Sequence, residues 1–186
     1  MRNSSFGSSR IALGFLVVSA AACASAPAPV RRVAEAGAAI SDENGTPRGT
    51  AEMWQDVNSV VHVDVKLRDL PVGTHGIHFH AIGKCEGRGS TAFASAGAHY
   101  NPLGRQHGMD NPGGPHAGDA PNFTIDADGV GRASFTTDRV SLTGGSTSLF
   151  DADGTAIVVH STADDQISQP AGNSGARIAC GVVGRG

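Results

Sequence analysis

Aromatic side chains are scarce, at 5% of 186 residues with a single Trp and a single Tyr, so whatever core this chain builds is modest. Basic residues do not dominate either. Fourteen Lys and Arg face seventeen Asp and Glu, which argues against a nucleic-acid binder. No internal repeat suggests a solenoid, and the apolar run "IALGFLVVSA" near the N-terminus is too short to span a bilayer. Only three cysteines occur: Cys23, Cys85 and Cys180. Glycine, by contrast, is abundant at 26 residues without any strict triplet period. Glycine weakens helix interiors and serves tight turns, so the composition favours an all-β domain with long ordered loops.

The N-terminal segment is a separate object. Arg2 and Arg10 precede the apolar run and small residues follow it, the pattern of a secretory signal peptide over residues 1–22. The run ends in "AAACAS", so cleavage before Cys23 exposes a cysteine open to lipid acylation. Ala20 stands three positions ahead, where a large aliphatic residue is usual. Ordinary cleavage nearby, which would remove Cys23, is the alternative. Either way the protein is expected to be exported, to a bacterial periplasm or cell envelope, with the membrane touched only through that anchor. Export favours pairing of the two remaining cysteines. Loss of Arg2 and Arg10 leaves twelve basic against seventeen acidic residues, a mature charge of −5. Residues 23–38, rich in Ala and Pro, read as a flexible tether, and the folded domain is expected over residues 39–186.

Within that domain "SVVHVDVKLRDL" alternates cleanly, Val61, Val63, Val65 and Leu67 on one face and His62, Asp64, Lys66 and Arg68 on the other. Further strands are expected around Gly49–Trp54, Gly76–Ala81, Asn122–Ile125, Ala133–Thr136, Ala156–His160 and Arg177–Val183. "DADG" occurs at Asp126–Gly129 and Asp151–Gly154, each time reading as a hairpin turn. Such short strands point to a sandwich or barrel. Between Ile82 and Pro121 the strand pattern lapses for about forty residues, a length that in a compact domain usually carries function.

Histidine is where the chemistry concentrates. In "GIHFH", His78 and His80 share one face of a strand while Ile77 and Phe79 take the other, so two imidazoles can reach one ion. The glycine-rich stretch supplies His99, His107, His116 and Asp119, and three imidazoles with one carboxylate make a complete tetrahedral set for zinc.

The blocks "HGIHFH", "AGAHYNP" followed by "RQHG", "PHAGDAPN", "VVHSTADD" and "GNSGARIACGVVG" resemble copper, zinc superoxide dismutase from about residue 40 to the end. The resemblance implies a Greek-key β-barrel or sandwich of immunoglobulin-like kind, an architecture for which this family is a standing example. It implies copper on His78, His80, His99 and His160, and zinc on His99, His107, His116 and Asp119, with His99 common to both. Asp164 would link His78 to His107 from outside the ligand set, Cys85 and Cys180 would form the intrasubunit disulfide, and His75 would be a satisfied interior residue. His62 reads as a plain surface residue. Arg177 matches the active-site arginine that draws and orients a small anion. The implied reaction is dismutation of superoxide to dioxygen and hydrogen peroxide, with His99 passing a proton as copper cycles. The connection "QISQPA" is shorter than in many eukaryotic members and lacks their lysine and extra acids; with the early loop cysteine it resembles the exported bacterial branch. Monomer and homodimer both stay open. The rival reading is a non-enzymatic copper and zinc binding or buffering protein of the envelope; an adhesion or structural module would leave the full ligand set unexplained.

Overall fold

The computed structural model describes Met1 and residues 30–186; the rest of the expected signal peptide, Cys23 and the first part of the expected tether, residues 23–29, lie outside the described residues. Ten strands follow in order: β1 Arg32–Ser41, β2 Pro47–Asp56, β3 Val61–Arg68, β4 Gly73–His75, β5 Ile77–His80, β6 Phe123–Ile125, β7 Val130–Thr137, β8 Ala156–His160, β9 Arg177–Val182 and β10 Gly184–Arg185. They form one antiparallel sheet in the order β4-β6-β7-β3-β2-β1-β9-β8-β5, with β10 added to β1. The two ends of that path, β4 and β5, are separated in sequence by Gly76 alone, so the sheet curls into a nearly closed barrel. Neighbours distant in sequence, β3 beside β7 and β1 beside β9, are joined by long Greek-key crossovers.

The alternation in β3 does what its pattern dictates: Val61, Val63, Val65 and Leu67 are buried in the barrel, while Asp64, Lys66 and Arg68 are exposed. Ile40, Met53, Ile77, Phe79, Ile125, Ile157 and Val159 fill the rest of the core. The first DADG turn joins β6 to β7, with Gly129 N–H donating to Asp126 O. The second is a tight turn as well, closed by Gly154 N–H to Asp151 O at 3.3 Å, but it leads from a loop into β8 and makes no hairpin.

Two further expectations need correction. The ordered domain starts at Arg32, not near Ala39: β1 pairs along its length with β2 and buries Ala36, Ala38 and Ile40. Alanine and glycine carry little strand propensity, yet a small residue is what this contact wants, since a Cβ on Gly37 would sit 3.3 Å from Ala51 O. The pairing partner, supplied by tertiary structure, makes the strand. His62, in turn, is not a plain surface residue. It stacks face to face on Trp54 at 3.7 Å, with Arg32 over the other side of the indole and Asp56 3.4 Å from its Nε2.

What places the site is a second layer outside the barrel. In β5 and β8 the core faces carry Ile77, Phe79, Ile157 and Val159, but the outward faces are buried too. The long segment from Ile82 to Pro121 covers them, held by Phe79 N–H to Gly118 O and Tyr100 N–H to Phe79 O, 2.9 and 2.8 Å. At its start, Phe93, Ala96 and the two half-cystines pack on Ala156 and Val158. Cys85 and Cys180 are bonded, with Cα atoms 5.7 Å apart.

Candidate metal centre

Because side chains alternate along a strand, His78 and His80 of β5 point out of the barrel, toward the covering segment. His160 ends the neighbouring strand β8, and backbone bridges pair His80 with His99 and His78 with Asp119. The result is two groups of four: His78, His80, His99 and His160, and His99, His107, His116 and Asp119. Within each, one ligand-type atom per residue lies within 4.8 Å of the others, and every member is buried. His99 belongs to both.

The ring nitrogens divide into an outer and an inner set. On the outside, His78 Nε2 meets Asp164 Oδ2 at 2.6 Å, His107 Nε2 meets Asp164 Oδ1 at 3.0 Å, His80 Nδ1 meets Gly97 O at 2.9 Å, and His160 Nδ1 meets Gly175 O at 3.4 Å. On the inside, His78 Nδ1 and His99 Nε2 are buried with no hydrogen-bond partner, and His80 Nε2 and His160 Nε2 face each other at 3.4 Å. In the second group, three Nδ1 atoms converge on one oxygen, Asp119 Oδ1: His99 at 2.9 Å, His107 at 3.0 Å and His116 at 3.3 Å, the last without the alignment of a hydrogen bond. Asp119 Oδ2 is held by the backbone N–H groups of Gly108 and His116, each at 2.9 Å.

Buried polar atoms without partners are costly and therefore rare. Here they cluster, and they are lone-pair donors whose rings are fixed from behind by carboxylates and carbonyls, as metal-binding imidazoles are. The residues fit metal ions: an all-imidazole group suits copper and a three-imidazole, one-carboxylate group suits zinc.

Electrostatics follow burial and charge. Burial pushes His99 down to about 4 and His160 down to about 3, and it holds His80 well below the ordinary imidazole range, with neighbouring rings and Arg177 adding to it for the last two. His107 goes the other way. Burial opposes its charge, but hydrogen bonds to Asp119 and Asp164 outweigh burial and push it up to about 9. Burial would likewise raise Asp119 and Asp164, yet the imidazoles around them hold both far below the carboxylate range.

The all-imidazole group opens on a cavity of about 720 Å³ walled by His80, His99, His160, Thr91, Gln169 and Arg177. Arg177, half-buried, donates from Nη1 to Phe93 O and from Nη2 to Gly97 O, both at 2.6 Å. Desolvation lowers its pKa, but a guanidinium starts so high that it stays cationic. The disulfide ties the segment carrying those two carbonyls to β9, which carries Arg177 itself.

A model of the family described as copper/zinc superoxide dismutase matches residues 47–183. The chain belongs to that family. Among curated members, "Superoxide dismutase [Cu-Zn] 1" of Aquifex aeolicus is 43% identical over 77% of this chain and 84% of its own. "Superoxide dismutase [Cu-Zn]" of Caulobacter vibrioides is 39% identical over 78% and 83%. A crystal structure of a superoxide dismutase-like protein from Bacillus subtilis superposes with a TM-score of 0.72 at 35% identity, covering 78% of this chain and 96% of the other. The copper/zinc superoxide dismutase family uses copper and zinc, and redox-cycling dismutation of superoxide is its standard function.

The seven expected ligands, Asp164 and Arg177 lie together at this centre, Cys85 and Cys180 form the disulfide, and Cys23 is outside the described residues. His75 is an interior residue whose two ring nitrogens face the carbonyls of His160 and Pro71, each at 2.8 Å. Sequence reasoning missed the residues that act through backbone. Asn122 clamps the backbone of Asp164 at 2.7 and 2.8 Å, and Arg139 donates to Asp119 O at 2.7 Å. Gln166 accepts from Met109 N–H and donates to Ala120 O. An amide or guanidinium bonded to a main-chain group leaves no spacing signal.

Proposed function

We propose that the chain catalyses its family's reaction, in which two superoxide anions and two protons give one dioxygen and one hydrogen peroxide. One observation carries the reading: a group of four buried imidazoles, sharing His99 with a zinc-type group, opens on a cavity that ends in a cationic guanidinium. His78, His80, His99 and His160 would hold copper, and His99, His107, His116 and Asp119 would hold zinc. Bound copper supplies one-electron redox chemistry, while zinc, which has no redox chemistry of its own, supplies charge and fixes geometry.

The remaining steps belong to the chain. Arg177, pinned by two carbonyls, presents a permanent positive charge beside His80, His99 and His160, so it draws a small anion to the open side of the imidazole group. Electrostatic guidance of this kind has the family itself as its usual illustration. His99 Nε2 has no other partner and faces the all-imidazole group, so it is the atom at which a proton can be held and passed on. Asp119, fixed by two backbone N–H groups, keeps the opposite nitrogen of that ring in place. Asp164 orients the rings of His78 and His107 together.

The test is superoxide consumption by protein loaded with copper and zinc, measured for wild type, Arg177→Ala and Arg177→Glu across ionic strength. Wild type should be fastest and should slow as salt rises, because attraction between charges is screened beyond about 8–10 Å at physiological salt. The glutamate variant should be slowest and lose or reverse that dependence. Full metal occupancy without turnover would replace the enzyme with a metal-buffering protein.

The chain is read as exported to the periplasm or cell envelope and anchored through an acylated Cys23. The disulfide, the family's bacterial members and the signal-like N-terminus support export. Mature protein should partition into detergent, with lipid mass on its N-terminal peptide, and Cys23→Ser should abolish both; an unmodified soluble species would refute the anchor.

A further inference from the structure

The connection from Asp165 to Gly172 is a tight loop, closed by Asp165 N–H to Gly172 O at 2.8 Å and Gly172 N–H to Ser168 O at 2.7 Å. It presses on His107 and Gly108. A Cβ on Gly108 would collide with the carbonyl of Gln166, and Gly108 takes a left-handed φ of +105° as well.

At this contact Gln169 makes an unusual pair of bonds. Its Oε1 accepts the backbone N–H of His107 at 2.9 Å, and its Nε2 donates to the backbone carbonyl of the same residue at 3.0 Å. One primary amide thus serves both main-chain groups of a buried residue, as a neighbouring strand would. His107 cannot shift along or across that edge without breaking both bonds. Its ring is held independently, by Asp164 at Nε2, and Asp164 is itself clamped by the same device, the amide of Asn122 on its own N–H and carbonyl. Gln169 also forms part of the wall of the 720 Å³ cavity, so a single side chain reaches from the substrate's space to the main chain of a zinc-type ligand.

We propose that Gln169 is a positioning residue which, from the cavity wall, fixes the backbone of His107 and so sets how tightly the group His99, His107, His116 and Asp119 retains zinc. The inference rests on the zinc assignment above. Partners outside a ligand set commonly change metal affinity by about 10–100-fold when removed, and loss of two neutral bonds belongs near the lower end.

The test uses the full protein loaded with copper and zinc and follows zinc release into a chromophoric chelator, with retained copper measured by metal analysis. Gln169→Ala should release zinc about tenfold faster. Gln169→Glu is the decisive variant because it keeps the shape of the side chain: its carboxylate can accept from His107 N–H but has no proton for His107 O. It should therefore release zinc at least as fast as Gln169→Ala. Copper should be retained in both. Ile167→Ala, an exposed neighbour on the same loop, should behave as wild type.

Three results would overturn the proposal. Wild-type release from both Gln169 variants is one. Wild-type release from Gln169→Glu with fast release from Gln169→Ala would mean that Gln169 only fills space. Parallel loss of copper would mean general loosening. Wild-type protein that takes up no zinc would fail the ligand assignment beneath it, a distinct outcome.

Discussion

Gly172→Ala adds one methyl group where the structure has no room for it. Gly172 is buried, at φ +63°, and an ideal Cβ would lie 2.7 Å from His107 Nε2 and closer still to Asp164 Oδ1. The left-handed backbone alone costs an L-residue about 1–2 kcal/mol. The larger effect is on Asp164, whose carboxylate must move away and so give up buried bonds to His107 Nε2 at 3.0 Å and His78 Nε2 at 2.6 Å. Bonds to charged groups contribute about 1.5–3 kcal/mol each, so the total comes to roughly 4–8 kcal/mol. Against a domain stability of about 5–15 kcal/mol, the metal-free variant should stand near the edge of unfolding. For a chain of this size the low end of that loss corresponds to a fall in melting temperature of roughly 8–16 °C. Gly104→Ala is the control: φ is +61°, but nothing lies within 4 Å of its would-be Cβ, so it carries only the conformational cost. Calorimetry of chelator-treated protein should place Gly104→Ala far above Gly172→Ala. If the two melt together, the clamp of Asp164 on the two rings does not contribute as argued.

Metal-free protein should be most stable to urea near pH 6.5–7 and weaken on both sides. His99 and His160, held at about 4 and about 3, bind protons less readily folded than unfolded, so stability falls as pH drops below the ordinary imidazole value of about 6.5. His107, raised to about 9, contributes stability that is complete below about 6.5 and is lost as pH rises through 9. A flat midpoint between pH 4 and 9.5 would refute this balance of burial and pairing. Cys180→Ser should cost about 4–5 kcal/mol on the chain-entropy argument for a separation of 95 residues, and it should slow turnover by releasing the carbonyls that pin Arg177. Calorimetry and superoxide consumption on metal-loaded protein check the two parts separately, and unchanged values for both would mean that the bridge neither stabilises the fold nor steadies Arg177.

What the sequence disclosed depended on how much of each feature is written in side chains. β3 was legible because Val and Leu alternate with His, Asp, Lys and Arg over eight residues. β1 was not, since alanine and glycine signal nothing until β2 pairs with them, and β4 and β10, three and two residues long, are too short for any period to show. The second DADG looked like the first because turn chemistry is local, whereas making a hairpin depends on what lies on either side. His62 carries no mark of its stack in its own strand, because Trp54 and Asp56 come from β2. At the site, imidazoles and carboxylates stood out by residue type. The carbonyls of Phe93, Gly97 and Gly175, and the amides of Asn122 and Gln169, became visible only once the chain was folded.

The two four-residue groups differ in how much of the chain must exist before each can form. His99 and Asp119 are 20 residues apart, so their group can close within one emerging segment. His80 and His160 are 80 residues apart and meet only when β8 has paired with β5, a pairing that the arrival of β9 then flanks. Closing a contact across so much chain is slow compared with closing a local one. As the chain emerges from its N-terminus, His99, His107, His116 and Asp119 are all present well before His160. The all-imidazole group must wait for β8 and His160, so the two sets of residues become complete in a fixed order set by the topology of the barrel, while Asp164 and Gln169, which hold His107, arrive last.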